Sequence, residues 1–363
     1  MNILHTVESY YPEVSGMATV VQQISERLVK LGHKVIVATR GIPARKNKKI
    51  INGVHLVEFN NPQKYQNYLI NSSFDIMTNF AAQQWATDLA LPILNKIKTK
   101  KVFVPTGFSK LNFFFYKKYF NNMENYMKQY DMNIFLSQNF RDINFARKNK
   151  IRKIKVIPNG ASEEEFLKKS KINIREVLNI PKDHFLVLNV SSHTGLKGHF
   201  ETIRIFNKAG IKKSTLLMIG KHPKSIISCY WSCQFLKFIS GKNILIQDLN
   251  REQTVAAFKA ADVFLFTSRV ECSPLVLFES IAAKTPFLTY DVGNSKEIIK
   301  WTKGGELLPT AVDKSAAILK KHYQNPGKLT GMGKTGHNAW LKNFTWEIIA
   351  RKYETLYYNL IHD

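Results

Sequence analysis

"ADVFLFTSRVECSPLVLFESIAAK", residues 261–284, reads as a buried strand, a short loop and a buried helix. "DVFLF" is a short run of apolar and aromatic residues bounded by polar groups, as in a strand covered on both faces. The helix is expected to start with Ser273 as N-cap and Pro274 in its first turn and to run through Lys284, apolar on nearly every side. Beyond Asp262 at the start of the strand, two carboxylates sit in the rest of this apolar stretch, Glu271 in the loop and Glu279 inside the helix. A buried carboxylate is costly unless it has a partner, so Glu279 requires hydroxyl or amide donors nearby, which a ligand ribose could supply.

The same strand–helix pattern extends along the chain. "NILHTV", "KVIVAT", "VHLVEF", "DIMTNF", "KVFVPT", "NIFLSQ" and "IKVIPN" precede a charged stretch after Gly160, and "FLVLNV", "TLLMIG", "NILIQD", "DVFLFTS" and "PFLTYD" follow it. Many of the gaps have helical period, as in "TVVQQISERLVKLG" with Val20, Val21, Ile24, Leu28 and Leu31 on one face. Alternation of this kind implies parallel sheets covered by helices, and a dozen strands are too many for one ordinary sheet. The economical division is residues 1–160, residues 161–344, and a tail of helical period, 345–363, that either completes the second domain or crosses back to the first.

In such sheets ligands bind beyond the carboxyl ends of the strands, where helix N-termini present free amides. Three strand-to-helix turns have the composition for it. Gly16 ends "YYPEVSG", Lys197 lies in "SSHTGLKGH", and Gly293 to Ser295 follow "TYDV". The first turn is not GxGxxG and gives no support to a dinucleotide site; taken alone, Gly16 reads as an ordinary turn residue. His193 and His199 flank Lys197 and read as solvated or capping residues. Cys229 and Cys233 are four apart on a helix with His222 nearby; without a fourth ligand at metal-site spacing they read as half-buried thiols.

The order of these pieces is similar to that of glycosyltransferase family 4. "ECSPLVLFE" resembles the family's pair of glutamates separated by seven residues, with "LGHKV", "VIPNG", "LKGH", "ADVFLFTS" and "VGNSKEII" in the family's order around it. The resemblance covers most of the chain and is densest from about residue 150 to 300. It implies an α/β chain of GT-B architecture, two Rossmann-like doubly wound parallel-sheet domains facing a central cleft, with the tail packing back on the first domain. It further implies a retaining hexosyltransferase that takes a sugar from a UDP- or GDP-type nucleotide sugar to a glycan, lipid-linked or surface-polysaccharide acceptor. No cofactor and no metal are expected.

Carried over onto this sequence, the resemblance assigns Glu271 to the donor sugar, Glu279 to the ribose and Lys197 to the diphosphate. Gly16 would approach the diphosphate from the other domain, and Ser192, Ser273, Leu275 and Val276 complete the donor set. Two departures stand out. Ser192 occupies the place of the family's usual arginine, and Thr106 and Gly107 stand where many members carry a histidine. A nonenzymatic protein that binds nucleotide sugars or nucleic acid is the competing reading, although no nucleic-acid module is visible.

Composition limits the setting. Fifty-three Lys and Arg against 27 Asp and Glu leave a net charge of +26, which calls for an anionic partner. Residues 1–160 hold 24 basic against 9 acidic residues and are the richer half per residue. Within them "KLNFFFYKKYFNNMENYMKQYD" sets Phe113, Tyr116, Phe120, Met123, Met127 and Tyr130 at helical spacing beside Lys117, Lys118 and Lys128. This reads first as a core-facing helix, and alternatively as a contact with an anionic membrane surface. "ARKNKKI", 44–50, reads as a solvated loop. Glu8 close behind a four-residue apolar start argues against a signal peptide, no run is long enough to span a bilayer, and three cysteines without framework spacing fit a reducing cytoplasm. A cytoplasmic protein, peripheral at the inner face of the cell membrane, is the expectation.

Overall fold

The computed structural model describes residues 1–13, 15–45, 48–221 and 228–362. These residues divide into two compact units. The first takes the chain up to Asn159 and resumes at Trp346, and the second is Gly160–Thr345.

Among the described residues, eight strands form the sheet of the first unit: β1 (Asn2–Thr6), β2 (Lys34–Arg40), β3 (Ile50–Ile51), β4 (Val54–Phe59), β5 (Ile76–Phe80), β6 (Lys100–Val104), β7 (Met132–Phe135) and β8 (Ile154–Val156). Their order is β3-β4-β2-β1-β5-β6-β7-β8, and every pairing is parallel except β3 with β4. The second unit holds β9 (Phe185–Val190), β10 (Ser214–Ile219), β11 (Ile244–Gln247), β12 (Val263–Phe266), β13 (Phe287–Thr289) and β14 (Gly305–Leu307), in the order β11-β10-β9-β12-β13-β14 and all parallel. Both sheets are doubly wound. The order reverses at β1/β5 in the first and at β9/β12 in the second, the places where such sheets open a ligand crevice.

All twelve strand-like runs form strands, for a reason that the burial makes plain. Phe264, Phe266, Leu277, Phe278, Ile281 and Trp340 belong to one buried cluster, so β12 and the helix after it are apolar on all sides because both lie inside the unit. Two strands lack that pattern. β3 is two residues long, and "GEL" in β14 is held by its backbone pairing to β13, so neither leaves a readable side-chain signature.

The tail Trp346–His362 is one helix of the first unit. Its Tyr357 hydroxyl lies 3.2 Å from His5 Nε2 on β1 and 2.6 Å from Thr78 Oγ1 on β5, which ties the helix to both strands of the crossover. His33, just after the helix Gly16–Lys30, reaches Glu354 through its Nε2 at 2.7 Å.

Two expectations fail in this unit. "ARKNKKI" is not simply a solvated loop, because Arg45 is buried and its guanidinium donates to the carbonyls of Tyr10 (3.0 Å), Tyr11 (2.8 Å) and Arg40 (2.6 Å) as well as pairing with Glu58. Lys46 and Asn47 lie outside the described residues. In the aromatic helix Lys117–Gln129, Phe120, Met123 and Met127 face the core, but Phe113 to Phe115 before it point outward, with Phe115 91% exposed.

Candidate active site

Lys197 is brought to its place by an unusual turn. After β9 the chain runs through Ser191 to Gly198 before the helix His199–Ala209, and Gly198 has a φ of +69°. A side chain there would not fit. A Cβ on Gly198 would stand 1.9 Å from the Thr267 carbonyl oxygen, so glycine is needed both for the left-handed backbone and for the close approach. Thr267 Oγ1 donates to the Gly198 carbonyl at 2.6 Å and Arg269 N donates to the Leu196 carbonyl at 3.0 Å, fastening the lysine turn to the end of β12. On its other side, Gly220 after β10 packs so closely that a Cβ would stand 2.3 Å from the Ser191 carbonyl.

At this crossover Lys197 Nζ meets Glu271 Oε1 at 2.7 Å. Ser268 Oγ donates to the same carboxylate oxygen at 2.9 Å, so the acid is held from two directions. Both charged side chains remain partly open to solvent. The turn after β13 supports the Glu271 loop from behind. Asn294 N donates to the Cys272 carbonyl at 2.9 Å, Asn294 Nδ2 donates to Ser273 Oγ at 3.1 Å, and a Cβ on Gly293 would collide with the Cys272 carbonyl.

The helix start differs from expectation. Pro274, and not Ser273, is the N-cap, the helix is Leu275–Ala282, and Ser273 Oγ receives the Asn294 amide. Proline has no amide hydrogen, and here its ψ of 116° is extended, which moves the first helical residue to Leu275. Leu275 and Val276 are half-buried on this first turn, just beyond the Glu271 loop. Glu279 lies one turn further in, is 7% exposed, and pairs with Arg251 at 2.7 Å. Arg251 in turn holds Glu165 through Nε at 2.8 Å and Nη2 at 2.6 Å. The partner that the buried acid requires is therefore an arginine 28 positions earlier, which sequence reasoning missed; ion pairs across helices leave no local spacing to read.

Ser192 is exposed on the rim of the lysine turn. Gly16, in the first unit, is the first residue of the helix Gly16–Lys30, whose N-cap Ser15 accepts from Ala18 N at 3.1 Å. Its φ is not positive and a Cβ would meet nothing within 4 Å, so the fold itself does not require glycine there. Also in the first unit, beside the β1/β5 crossover, an open cavity of about 540 Å³ is lined by Glu8, Glu13, Arg40 and Gln84 among others.

The histidines are not solvated. His193 and His199 are buried, with rings stacked at 4.4 Å. Burial, and then the neighbouring His193, lowers the His199 pKa to about 4, so its imidazole is neutral at ordinary pH. Cys229 and Cys233, starting the helix Cys229–Ser240, are buried rather than half-buried, and burial pushes the Cys233 thiol up to about 12. His222 lies outside the described residues.

Known proteins resemble this chain over most of its length. The family model described as "Glycosyltransferase Family 4" matches residues 14–165, and "Glycosyl transferases group 1" matches residues 170–339. N-acetyl-alpha-D-glucosaminyl L-malate synthase of Bacillus anthracis is 23% identical over 97% of this chain and 96% of its own. Alpha-monoglucosyldiacylglycerol synthase of Acholeplasma laidlawii is 25% identical over 98% of this chain and 96% of its own. Among solved structures, sucrose-phosphate synthase of Thermosynechococcus elongatus superposes with a TM-score of 0.84 at 17% identity, covering 99% of both chains. Anabaena HepE, solved with UDP and glucose, gives 0.79 at 16% identity over 98% of this chain and 99% of its own. The shared fold is GT-B.

Proposed function

Because this chain belongs to glycosyltransferase family 4, we propose that it is a retaining hexosyltransferase taking a sugar from a UDP- or GDP-linked donor to a glycan, lipid-linked or surface-polysaccharide acceptor. The observation that carries the reading is the Lys197–Glu271 pair at the β9/β12 crossover. A cation and a carboxylate 2.7 Å apart, on turns joined by the Thr267 Oγ1–Gly198 and Arg269 N–Leu196 hydrogen bonds, offer adjacent places for a diphosphate and for the sugar it carries.

In sugar transfer the bond between the anomeric carbon and a phosphate oxygen breaks, and its electrons stay with the leaving phosphate. Lys197 is placed to exchange part of its contact with Glu271 for that phosphate, and the amides of the first turn at Leu275 and Val276 add positive field where the charge grows. Glu271, held by Ser268, orients the sugar hydroxyls and favours positive character at the anomeric carbon. The acceptor hydroxyl then bonds to that carbon from the side the phosphate leaves, giving its proton to the departing phosphate oxygen, so that the configuration is retained.

Glu279 takes the ribose hydroxyls in this scheme. A carboxylate has room for about four hydrogen bonds, so Arg251 can orient it and leave acceptor capacity for a ligand. Ser273 and Ser192 border the donor in the second unit. Ser192 in place of the family's arginine puts more of the diphosphate charge on Lys197. The chemistry runs with the nucleotide sugar as co-substrate and without a resident cofactor or metal in the reaction.

The names of the relatives support the donor and acceptor classes. One neighbour was solved with UDP and glucose, and one relative is named for a glucosylated diacylglycerol. No helix among the described residues is long and apolar enough to cross a membrane. Outward-facing Phe113, Phe114 and Phe115 beside Lys110, Lys117 and Lys118 instead suit a surface contact with anionic lipid at the cytoplasmic face.

The test is a panel of UDP-, GDP- and ADP-sugars with the purified enzyme, reading release of nucleoside diphosphate with and without lipid and glycan acceptors. We expect one nucleotide class to be cleaved without added Mg²⁺. Binding without cleavage across the whole panel, acceptors included, would overturn the reading.

A further inference from the structure

We propose that His193, Cys229 and Cys233 bind a structural metal ion, Zn²⁺ in the first place, that pins the turn carrying Lys197 to the helix Cys229–Ser240. The ligand atoms of these three residues lie within 4.8 Å of one another, and all three residues are buried, at 5%, 8% and 0% exposure. Their positions are built by the fold. His193 belongs to the turn after β9, whereas Cys229 and Cys233 are the first and fifth residues of the helix that follows β10, four apart and so on one face. The opposite face of that helix carries Trp231, Phe235, Phe238 and Ile239, all exposed.

Cys229 Sγ stands 3.7 Å from His193 Nδ1 and 3.4 Å from His199 Nδ1. Ligands at about 2.3 Å for sulfur and about 2.0 Å for nitrogen around a tetrahedral ion are about 3.5 Å from each other, so both separations are those of ligand pairs. Two sulfurs and an imidazole without a carboxylate among them select a soft or borderline ion over Mg²⁺ or Ca²⁺.

His199 is set up to support the site from beside Cys229. Ser191 Oγ donates to Asn189 Oδ1 at 3.0 Å, so at its 2.9 Å contact with His199 Nε2 it is the ring that donates. That assigns the proton to Nε2 and leaves the lone pair of Nδ1 toward the cysteine sulfur. A second nitrogen held by a hydroxyl is the arrangement that metal-binding histidines show. Binding converts both thiols to thiolates, releases their two protons, and leaves a dication, two anionic sulfurs and neutral imidazole, an assembly without net charge that suits a buried place.

The consequence reaches the active site through geometry alone. Gly220 and the end of β12 already hold the lysine turn on two sides, and the ion adds a third anchor at His193, four residues before Lys197. It touches neither donor nor acceptor in this account.

The experiment uses the full chain without a histidine tag, stripped by chelator, reloaded with Zn²⁺ or Co²⁺ and desalted. We expect about one ion per chain, a thiolate-to-Co²⁺ charge-transfer band with the intense visible bands of tetrahedral cobalt, and loss of both in Cys233→Ser and in His193→Ala. Cys272→Ser should bind as the native chain does. In mild denaturant, Zn²⁺ should slow the reaction of Cys229 and Cys233 with a thiol reagent relative to the stripped chain, while Cys272 reacts alike in both; equal protection with and without the ion would count against the site. Absence of the thiolate band from the reloaded native chain overturns the proposal without any variant, which covers a Cys233 variant that fails to fold. Full metal content in the His193 and Cys233 variants would overturn it as well, by assigning the ion to some other place.

Discussion

Glu279 illustrates how a single side chain can be required and yet be misread. Its burial predicts a partner, and the partner is Arg251, whose side chain is still 46% exposed and is shared with Glu165. Removing the arginine leaves a carboxylate short of its cation at the inner end of that pair. We expect Arg251→Ala to cost about 1–2 kcal/mol, below the figure for a fully buried pair because water reaches the guanidinium. Denaturant unfolding checks this. The ribose assignment predicts something separate. Glu279→Ala should weaken the nucleotide diphosphate by about 10- to 100-fold, since two hydrogen bonds to a carboxylate are lost, and should erase discrimination against the 2′-deoxy nucleotide. Equal affinities for native and variant enzyme in titration calorimetry would remove Glu279 from the ribose. The acids at 271 and 279 and the lysine at 197 were legible because their motif is local. Arg251, buried Arg45 and the His193–His199 stack were not, because each depends on contacts between residues far apart in the chain or on a turn whose inward direction no periodicity encodes.

At the scale of elements, the turns carry the specificity and the strands carry the fold. Gly198 precedes one helix and Gly16 begins another, yet they have opposite requirements. Alanine at 198 would need a left-handed backbone and a displaced Thr267 carbonyl, so Gly198→Ala should lose about 2–4 kcal/mol and loosen the lysine turn. Gly16→Ala meets no neighbour and should stay within about 0.5 kcal/mol of the native chain. Thermal unfolding of the two variants side by side distinguishes a structural glycine from one kept for access. The crossover of the first sheet gives a pH test. Burial lowers the His5 pKa to about 3, so the folded state refuses a proton that the unfolded chain accepts below about 6.5. The stability from keeping His5 neutral is complete above about pH 6.5 and is lost as pH falls toward 3, by about 1.4 kcal/mol per pH unit. The stability gap between the native chain and His5→Gln should therefore narrow on acidification from pH 6.5 to 4.5. A gap independent of pH contradicts that account.

For the molecule as a whole, twelve runs of apolar, largely β-branched residues sufficed to recover twelve of the fourteen strands among the described residues, because parallel strands buried on both faces cannot hide their composition. β3 and β14 escaped since backbone pairing alone defines them, and the cavity beside β1/β5 escaped since it is made by loops whose shape depends on buried Arg45. The charge excess of +26 belongs to this scale too. With the three outward phenylalanines it predicts binding to vesicles containing anionic lipid at low salt, weakened by Phe114→Ser with Phe115→Ser and by raising ionic strength. Equal flotation of native and variant chains would detach the phenylalanines from that role.

If Lys197 and Glu271 form the reacting centre of a sugar transferase, Glu271→Gln should disable it. The change keeps the shape and an acceptor oxygen for Ser268 while removing the charge. Turnover of the preferred nucleotide sugar should fall by about 100-fold or more, with affinity for the free nucleoside diphosphate held within about threefold, the pattern of an interaction made in the transition state. Native turnover in Glu271→Gln, at matched nucleotide affinity, would contradict the account.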